Sequence, residues 1–186
     1  MTGGGAFGDE NGEPFAQMFA RRTLWLRGPL DDAAASRLCA ELMALDRAAH
    51  DQPIELIINS GGGPVDPALA VIDTLDLVES PVATLCLGQA LGTAAAVLAC
   101  GRASRRATPT ARLGLRLAPS GAEGTASVLR NHAEGVALSR DQLALRLAAA
   151  TGQLPAMLVI DMDEGGFMTA EQAVSYGLID EIAARR

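Results

Sequence analysis

Residues 84–101 read TLCLGQALGTAAAVLACG. A short apolar run meets Gly88, turns through Gln89, Ala90, Leu91 and Gly92, and enters an Ala-rich run of helical character. Strand, sharp turn, then helix is how many hydrolases hold a nucleophile at the top of a sheet. The tip of this turn holds Leu91, Gly92 and Thr93, so no Ser or Cys stands where that nucleophile is expected. Val82 to Cys100 is also free of charge and long enough to span a membrane. Its Gly88, Gln89, Gly92, Thr93 and many Ala residues fit a buried strand followed by a buried helix better, and no membrane span is predicted.

The same alternation runs outward in both directions. Upstream, FAQMFARRT suggests a short helical lead-in and TLWLRG (23–28) a strand ending in Gly. An amphipathic helix follows, with an Asp N-cap after Pro29 and with Ala34, Leu38, Leu42 and Leu45 at helical spacing. IELIIN (54–59) reads as a strand, GGGPVD as a turn and PALAVIDTLDLVE (67–79) as a helix. Downstream, ARLGLRL (111–117) is a further strand and residues 127–152 a long helical stretch ending at Gly152. FMTAEQAVSYGLIDEI supplies a helix capped by Thr169 and a terminal strand. Strands alternating with helices imply right-handed crossovers and a mostly parallel sheet, hence an α/β fold without internal repeat or second domain. In the long helix, Val128, Leu129, Ala133, Val136, Ala137, Leu143 and Leu147 form a wide apolar face with few local partners. A helix projecting to meet its copy in another subunit would bury it.

Composition narrows the function. The chain of 186 residues is 49% apolar and 20% charged, enough for one folded domain. All 15 basic residues are Arg, as a biased genome produces. A net charge of −7 argues against nucleic acid as a partner, because phosphate neutralisation dominates that affinity. Cys39, Cys86 and Cys100 lack metal-ligand spacing and a CxxC pair, which fits buried thiols in a reducing cytoplasm. No cofactor or metal site is predicted. Residues 1–14 have neither a basic n-region nor an apolar h-region and read as a flexible tail, not a signal peptide.

INSGGGPV (58–65), LGQALGTAAAVLACG (87–101), PTARLGLRL (109–117) and FMTAEQAVSYGLIDEI (167–182) stand in the order and spacing of the Clp protease proteolytic subunit. NHAEGV (131–136) resembles part of that family's handle helix. The resemblance runs from about residue 15 to the C-terminus. It implies a crotonase-like α/β fold, a spiral of ββα units over residues 15–186 with a projecting handle helix at about 127–151. It also implies a homo- or hetero-heptameric ring with an active paralogue, two rings stacked through their handles around a chamber, and a Clp-family ATPase that feeds substrate in.

Carried over motif by motif, the family's nucleophilic Ser falls on Gly92, its His on Arg116 and its Asp on Gly165. Amide attack needs a nucleophile, a base to take its proton and a group to orient the base. Gly92 has no side chain to attack with, Arg116 accepts no proton at ordinary pH, and Gly165 orients nothing. Losing a whole triad costs roughly a millionfold in turnover, so the chain alone is not expected to cut peptides. A displaced nucleophile at Thr93 would need a base. His50 and His132 stand outside the triad positions, and Asp161, Asp163 and Glu164 read as loop charge or as partners for Arg116.

The resemblance further places the oxyanion-hole amides on Gly63 and Thr93, where sharp Gly turns account for the motifs equally well. The family's YLYINS strand is here ELIINS, so Glu55 and Ile57 replace tyrosines that line the ATPase-docking pocket. A carboxylate in an apolar pocket is costly to desolvate, and docking is expected to be weak. Gly61 replaces a Pro in the turn that aligns substrate. Arg116, with Arg102, Arg105, Arg106 and Arg112, suggests a locally basic face, formed either for ion pairing or for holding peptide carboxylates. Three functional readings stay open: a non-catalytic subunit of a Clp-type core, a freestanding ring scaffold, or an enzyme. The enzyme would be a peptidase with a displaced nucleophile or a crotonase-type acyl-CoA enzyme.

Overall fold

Leu24 and Leu26, Leu56 and Ile58, and Val82, Thr84 and Cys86 are almost fully buried, while the residues between them face outward. That period of two makes three neighbouring strands with one face on the core. In the computed structural model, which describes residues 13–118, 121 and 123–183, they are β1 (Thr23–Arg27), β2 (Ile54–Ser60) and β3 (Val82–Leu91). With β4 (Arg105–Ala107), β5 (Arg112–Gly114) and β6 (Glu181–Ile182) they build a sheet ordered β1-β2-β3-β4-β6, with β5 paired to the far end of β3. The strand pairings are all parallel. Parallel neighbours need crossovers, and α2 (Asp32–Ala48) and α3 (Val65–Leu77) supply the first two.

Local chemistry sets the helix ends. Asp31 caps α2 by accepting the Ala34 N–H, and the buried stripe is Ala35, Leu38, Leu42 and Leu45, one residue later at its start than the spacing suggested. α3 opens two residues earlier than expected, at Val65, with Pro64 at its N-cap and Pro67 in its first turn, where the missing N–H costs nothing. α4 (Thr93–Ala99) is buried on every side, which explains why residues 82–100 carry no charge. Among the described residues no single helix is long and apolar enough to cross a membrane.

The remaining helices are α1 (Glu13–Ala20), α5 (Ala126–Thr151), α6 (Pro155–Glu164) and α7 (Ala170–Tyr176). The tail expected over 1–14 lies outside the described residues up to position 12, and Glu13 and Pro14 already belong to α1. α5 corresponds to the expected handle. Its first half, residues 126–135, is exposed all round, whereas Leu143, Ala144 and Leu147 are buried where α5 packs on α3, α4 and α6. Among the described residues, it is this lower part of the anticipated apolar face that is buried within the chain. Two elements were not expected. β4 hides behind two adjacent arginines, and α6, opened by Pro155, fills the gap between the long helix and the final motif.

Candidate functional site

A register shift in the sheet builds the site. Ile58 pairs with Cys86 but Ser60 pairs with Ala90, so β3 carries extra residues around Gly88. Past that bulge the opposite edge of β3 changes partner: Thr84, Leu85 and Cys86 pair with β4, whereas Gln89, Ala90 and Leu91 pair with β5. The tip of β3 is thereby aimed between the glycine turn after β2 and the segment after β5.

Gly92 sits at that tip with φ 54° and ψ −123°. This left-handed backbone is strained for any residue with a Cβ and is the sharp strand-to-helix elbow expected of a nucleophile turn. The Gly92 N–H donates to the Gly114 carbonyl at 2.8 Å, and its own carbonyl accepts from Ala95 and Ala96, starting α4. A Cβ added here would lie 3.0 Å from the Arg116 carbonyl oxygen. The elbow survives with nothing mounted on it.

The other two triad-matched positions arrive by backbone pairing. Leu113 and Met168 exchange hydrogen bonds at 3.2 and 2.7 Å, and the Leu117 N–H donates to the Met162 carbonyl at 2.8 Å. These bonds draw the end of α6 against the β5 segment, so that Gly92, Arg116 and Gly165 share one region. Gly165 terminates α6, its N–H on the Asp161 carbonyl, and a Cβ there would stand 2.2 Å from that same oxygen. The turn closes so tightly that no side chain fits without moving the backbone.

Arg116 is exposed and makes no ion pair among the described residues. It borders a cavity of about 660 Å³ together with Gly63, His132, Arg140, Met162 and Asp163. Of the three acidic residues expected to pair with it, two are engaged elsewhere, and Glu164 is exposed and makes no ion pair with it. Asp163 accepts from Arg140 at 3.0 Å, and Asp161 accepts the Tyr176 hydroxyl at 2.5 Å. Burial first, then that carboxylate, pushes the Tyr176 hydroxyl well above its ordinary pKa.

The locally basic face does not form either. Arg102 donates to the carbonyls of Leu75, Asp76 and Val78, Arg105 is bound to Asp180, Arg106 to Glu55, and Arg112 lies over the Phe167 ring at 5.0 Å. Proximity in sequence scattered these side chains because β4 and β5 pair with different stretches of β3.

The residues matched to the oxyanion hole do come together, but not as an open pair of amides. The Gly63 N–H donates to Thr93 Oγ1 at 2.8 Å, and that hydroxyl donates back to the Gly63 carbonyl at 3.2 Å. Thr93 is fully buried. Among the described residues its hydroxyl is bonded to Gly63 and to no side-chain base: His50 is exposed just before β2, at the opposite end of the sheet, and His132 lines the cavity from α5.

Glu55 and Ile57 point to the outer face of the sheet, beside Thr23 and Trp25 of β1 in register. Ile57 is buried, while the Glu55 carboxylate keeps 38% of its exposure and holds Arg106 at 2.8 Å. The desolvation cost anticipated for Glu55 is therefore met within the chain by an opposite charge.

Sequence reasoning missed three participants. α6, with Met162 and Asp163 on the cavity, was signalled by Pro155 after Gly152 and by the apolar pair Leu158 and Met162. Arg140 was hidden in a helical run whose surroundings sequence does not disclose. The buried Trp25 Nε1, unpartnered among the described residues, sits in the strand read from TLWLRG, in register with Ile57, and nothing in its spacing singled it out.

A family model described as Clp protease matches residues 8–186. With a parallel sheet, a nucleophile-type elbow and a projecting helix all within that span, the chain belongs to the Clp protease family, whose members build the ring-forming proteolytic core of Clp-type serine proteases.

Proposed function

We propose that this chain is a non-catalytic subunit of a cytoplasmic Clp-type proteolytic core, taking a place in a ring beside catalytically competent paralogues. One observation carries the reading: an elbow backbone of nucleophile type is retained at Gly92 although that position bears no side chain. A shape kept without its chemistry serves assembly and the chamber wall.

Arg116 supplies a fixed positive charge in place of a base, and Gly165 closes a turn in place of orienting one. The displaced-nucleophile reading is disfavoured by the burial of Thr93 and by the bonding of its hydroxyl to Gly63. The acyl-CoA reading is disfavoured by the same bond, which occupies the amide such an enzyme would use. Docking of a Clp ATPase on this subunit's own face is expected to be weak. With Glu55 and Arg106 paired there, an apolar loop has to cover two charges.

The test is native mass spectrometry of the tagged chain recovered from its own cells, with peptidase assays on the same material. Mixed oligomers containing an active paralogue are expected, together with no hydrolysis of a fluorogenic peptide by the pure chain. Hydrolysis by the pure chain that a single substitution in it abolishes would refute the proposal.

A further inference from the structure

The replacement of the triad-matched positions by Gly92, Arg116 and Gly165 does not require anything of Thr93, yet Thr93 is bonded in a particular way. Its Oγ1 accepts the Gly63 N–H at 2.8 Å and turns its own proton to the Gly63 carbonyl at 3.2 Å. The hydroxyl thus satisfies the donor and acceptor of one peptide residue at once. The turn is shaped around it, since a Cβ built on Gly62 would meet Thr93 Oγ1 at 3.0 Å and the Thr93 nitrogen at 3.1 Å. Position 63 has room only for glycine, since a Cβ added there would lie 2.1 Å from the Leu30 carbonyl oxygen. Gly63 also borders the cavity shared with Arg116 and His132.

A backbone N–H in the wall of such a cavity, once freed of its internal partner, is a natural receptor for an acyl oxygen or a tetrahedral anion, because it needs no reorganisation to donate. We infer that the Thr93 hydroxyl is a built-in occupant of this anion position, a specificity-determining residue that closes the Gly63 amide to the acyl oxygen of any bound chain. The inference goes beyond the proposed non-catalytic role, though it concerns the same site. A missing nucleophile stops bond breaking, whereas an occupied amide also stops the site from gripping an acyl group. Thr is suited to the task. It is β-branched and stiff at χ1, and with no exposed surface it has no solvent to turn towards.

The ligand displaced by Thr93 is an anionic or carbonyl oxygen on an extended peptide. The probe is accordingly a short apolar peptide ending in a phosphonic acid, a tetrahedral anion that requires no nucleophile. Its affinity is measured by calorimetry on the assembled protein for wild type, Thr93→Ala and Thr93→Ser. Thr93→Ala is expected to bind at least tenfold more tightly than wild type, and Thr93→Ser to match wild type because it keeps the hydroxyl. Equal affinity of wild type and Thr93→Ala, including no binding by either, overturns the inference.

Thr93→Val removes the hydroxyl while keeping the volume, and covers the case in which the Ala variant fails to fold. In Thr93→Val the Gly63 amide is expected to exchange with solvent at least tenfold faster by NMR, and unchanged exchange overturns the inference. Neither readout involves peptide cleavage, so the inference and the proposed function fail separately.

Discussion

At Gly165 the backbone has settled into a shape that excludes a side chain, whereas at Gly92 the elbow would hold one only with strain and little clearance. Gly92→Ser forces a Cβ onto φ 54° and to within 3.0 Å of the Arg116 carbonyl. It is expected to cost about 1–3 kcal/mol of stability and to yield no peptidase activity, measured by denaturant unfolding and a fluorogenic peptide. Gly165→Ala places its Cβ 2.2 Å from a backbone oxygen. Even this smallest substitution is expected to cost about 1–3 kcal/mol, and a stability equal to wild type would show that the end of α6 yields more easily than its geometry implies. Arg116 is the opposite case: exposed and without an ion pair among the described residues, it should be replaceable by Ala within about 0.5 kcal/mol. Burial pushes the thiols of Cys86 and Cys100 up to about 12, so neither offers a substitute nucleophile near neutral pH.

Between elements, arginines do the fastening. Arg22 donates to the carbonyls of Leu45, Ala49, Gln52 and Pro53 and to Ser80 Oγ, tying the end of α2 to the start of β2 and to the loop before β3. Removing it in Arg22→Ala is expected to cost about 2 kcal/mol by thermal unfolding, since carbonyls that lose a charged donor are left poorly paired. Arg105 does the same at the other edge of the sheet, reaching Ala150 and Gly177 carbonyls and the Asp180 carboxylate. Those hydrogen bonds hold the Asp180 carboxyl below the ordinary carboxylate range. Its folded pKa being the lower one, the unfolded chain binds the proton more readily. The stabilisation is complete above the unfolded value of about 4 and fades as pH falls through the folded one. Wild type is therefore expected to exceed Asp180→Asn in melting temperature at pH 7, with the difference shrinking below pH about 4. A difference that stays constant down to acid pH would assign the effect to packing instead.

Across the whole molecule, the apolar surface left over is concentrated on the helical side. Val128 and Leu129 near the start of α5 are 50% and 43% exposed, and Leu138 and Leu145 farther along are exposed as well. A free helical half of that composition is not sustained by its own chain, because most helical stability comes from packing an apolar face. On the ring assembly proposed above, replacing both Val128 and Leu129 by Asp is expected to lower the sedimenting mass while leaving the circular dichroism of the chain intact; an unchanged mass would count against α5 as the surface that joins subunits. How much of all this was legible in the sequence depended on the range of the interactions concerned. Strand and helix periods, the Asp31 and Thr169 caps and the elbow turn are decided by neighbours a few residues apart, so the α/β fold could be read directly, whereas the triad-matched positions Gly92, Arg116 and Gly165 rest on the family resemblance. The short β4 and the α6 helix were obscured because paired arginines and a Pro-led run look like loop until a sheet edge and α5 cover them. The sequence by itself therefore determined which chemical groups this protein has and lacks. Only the tertiary structure decided what the remaining groups do: that Thr93 turns its hydroxyl onto Gly63, that Glu55 has Arg106, and that Gly165 stands against Asp161. Each of those contacts joins positions on different strands and helices or depends on how tightly a turn closes, and such distances are set by packing rather than by spacing along the chain.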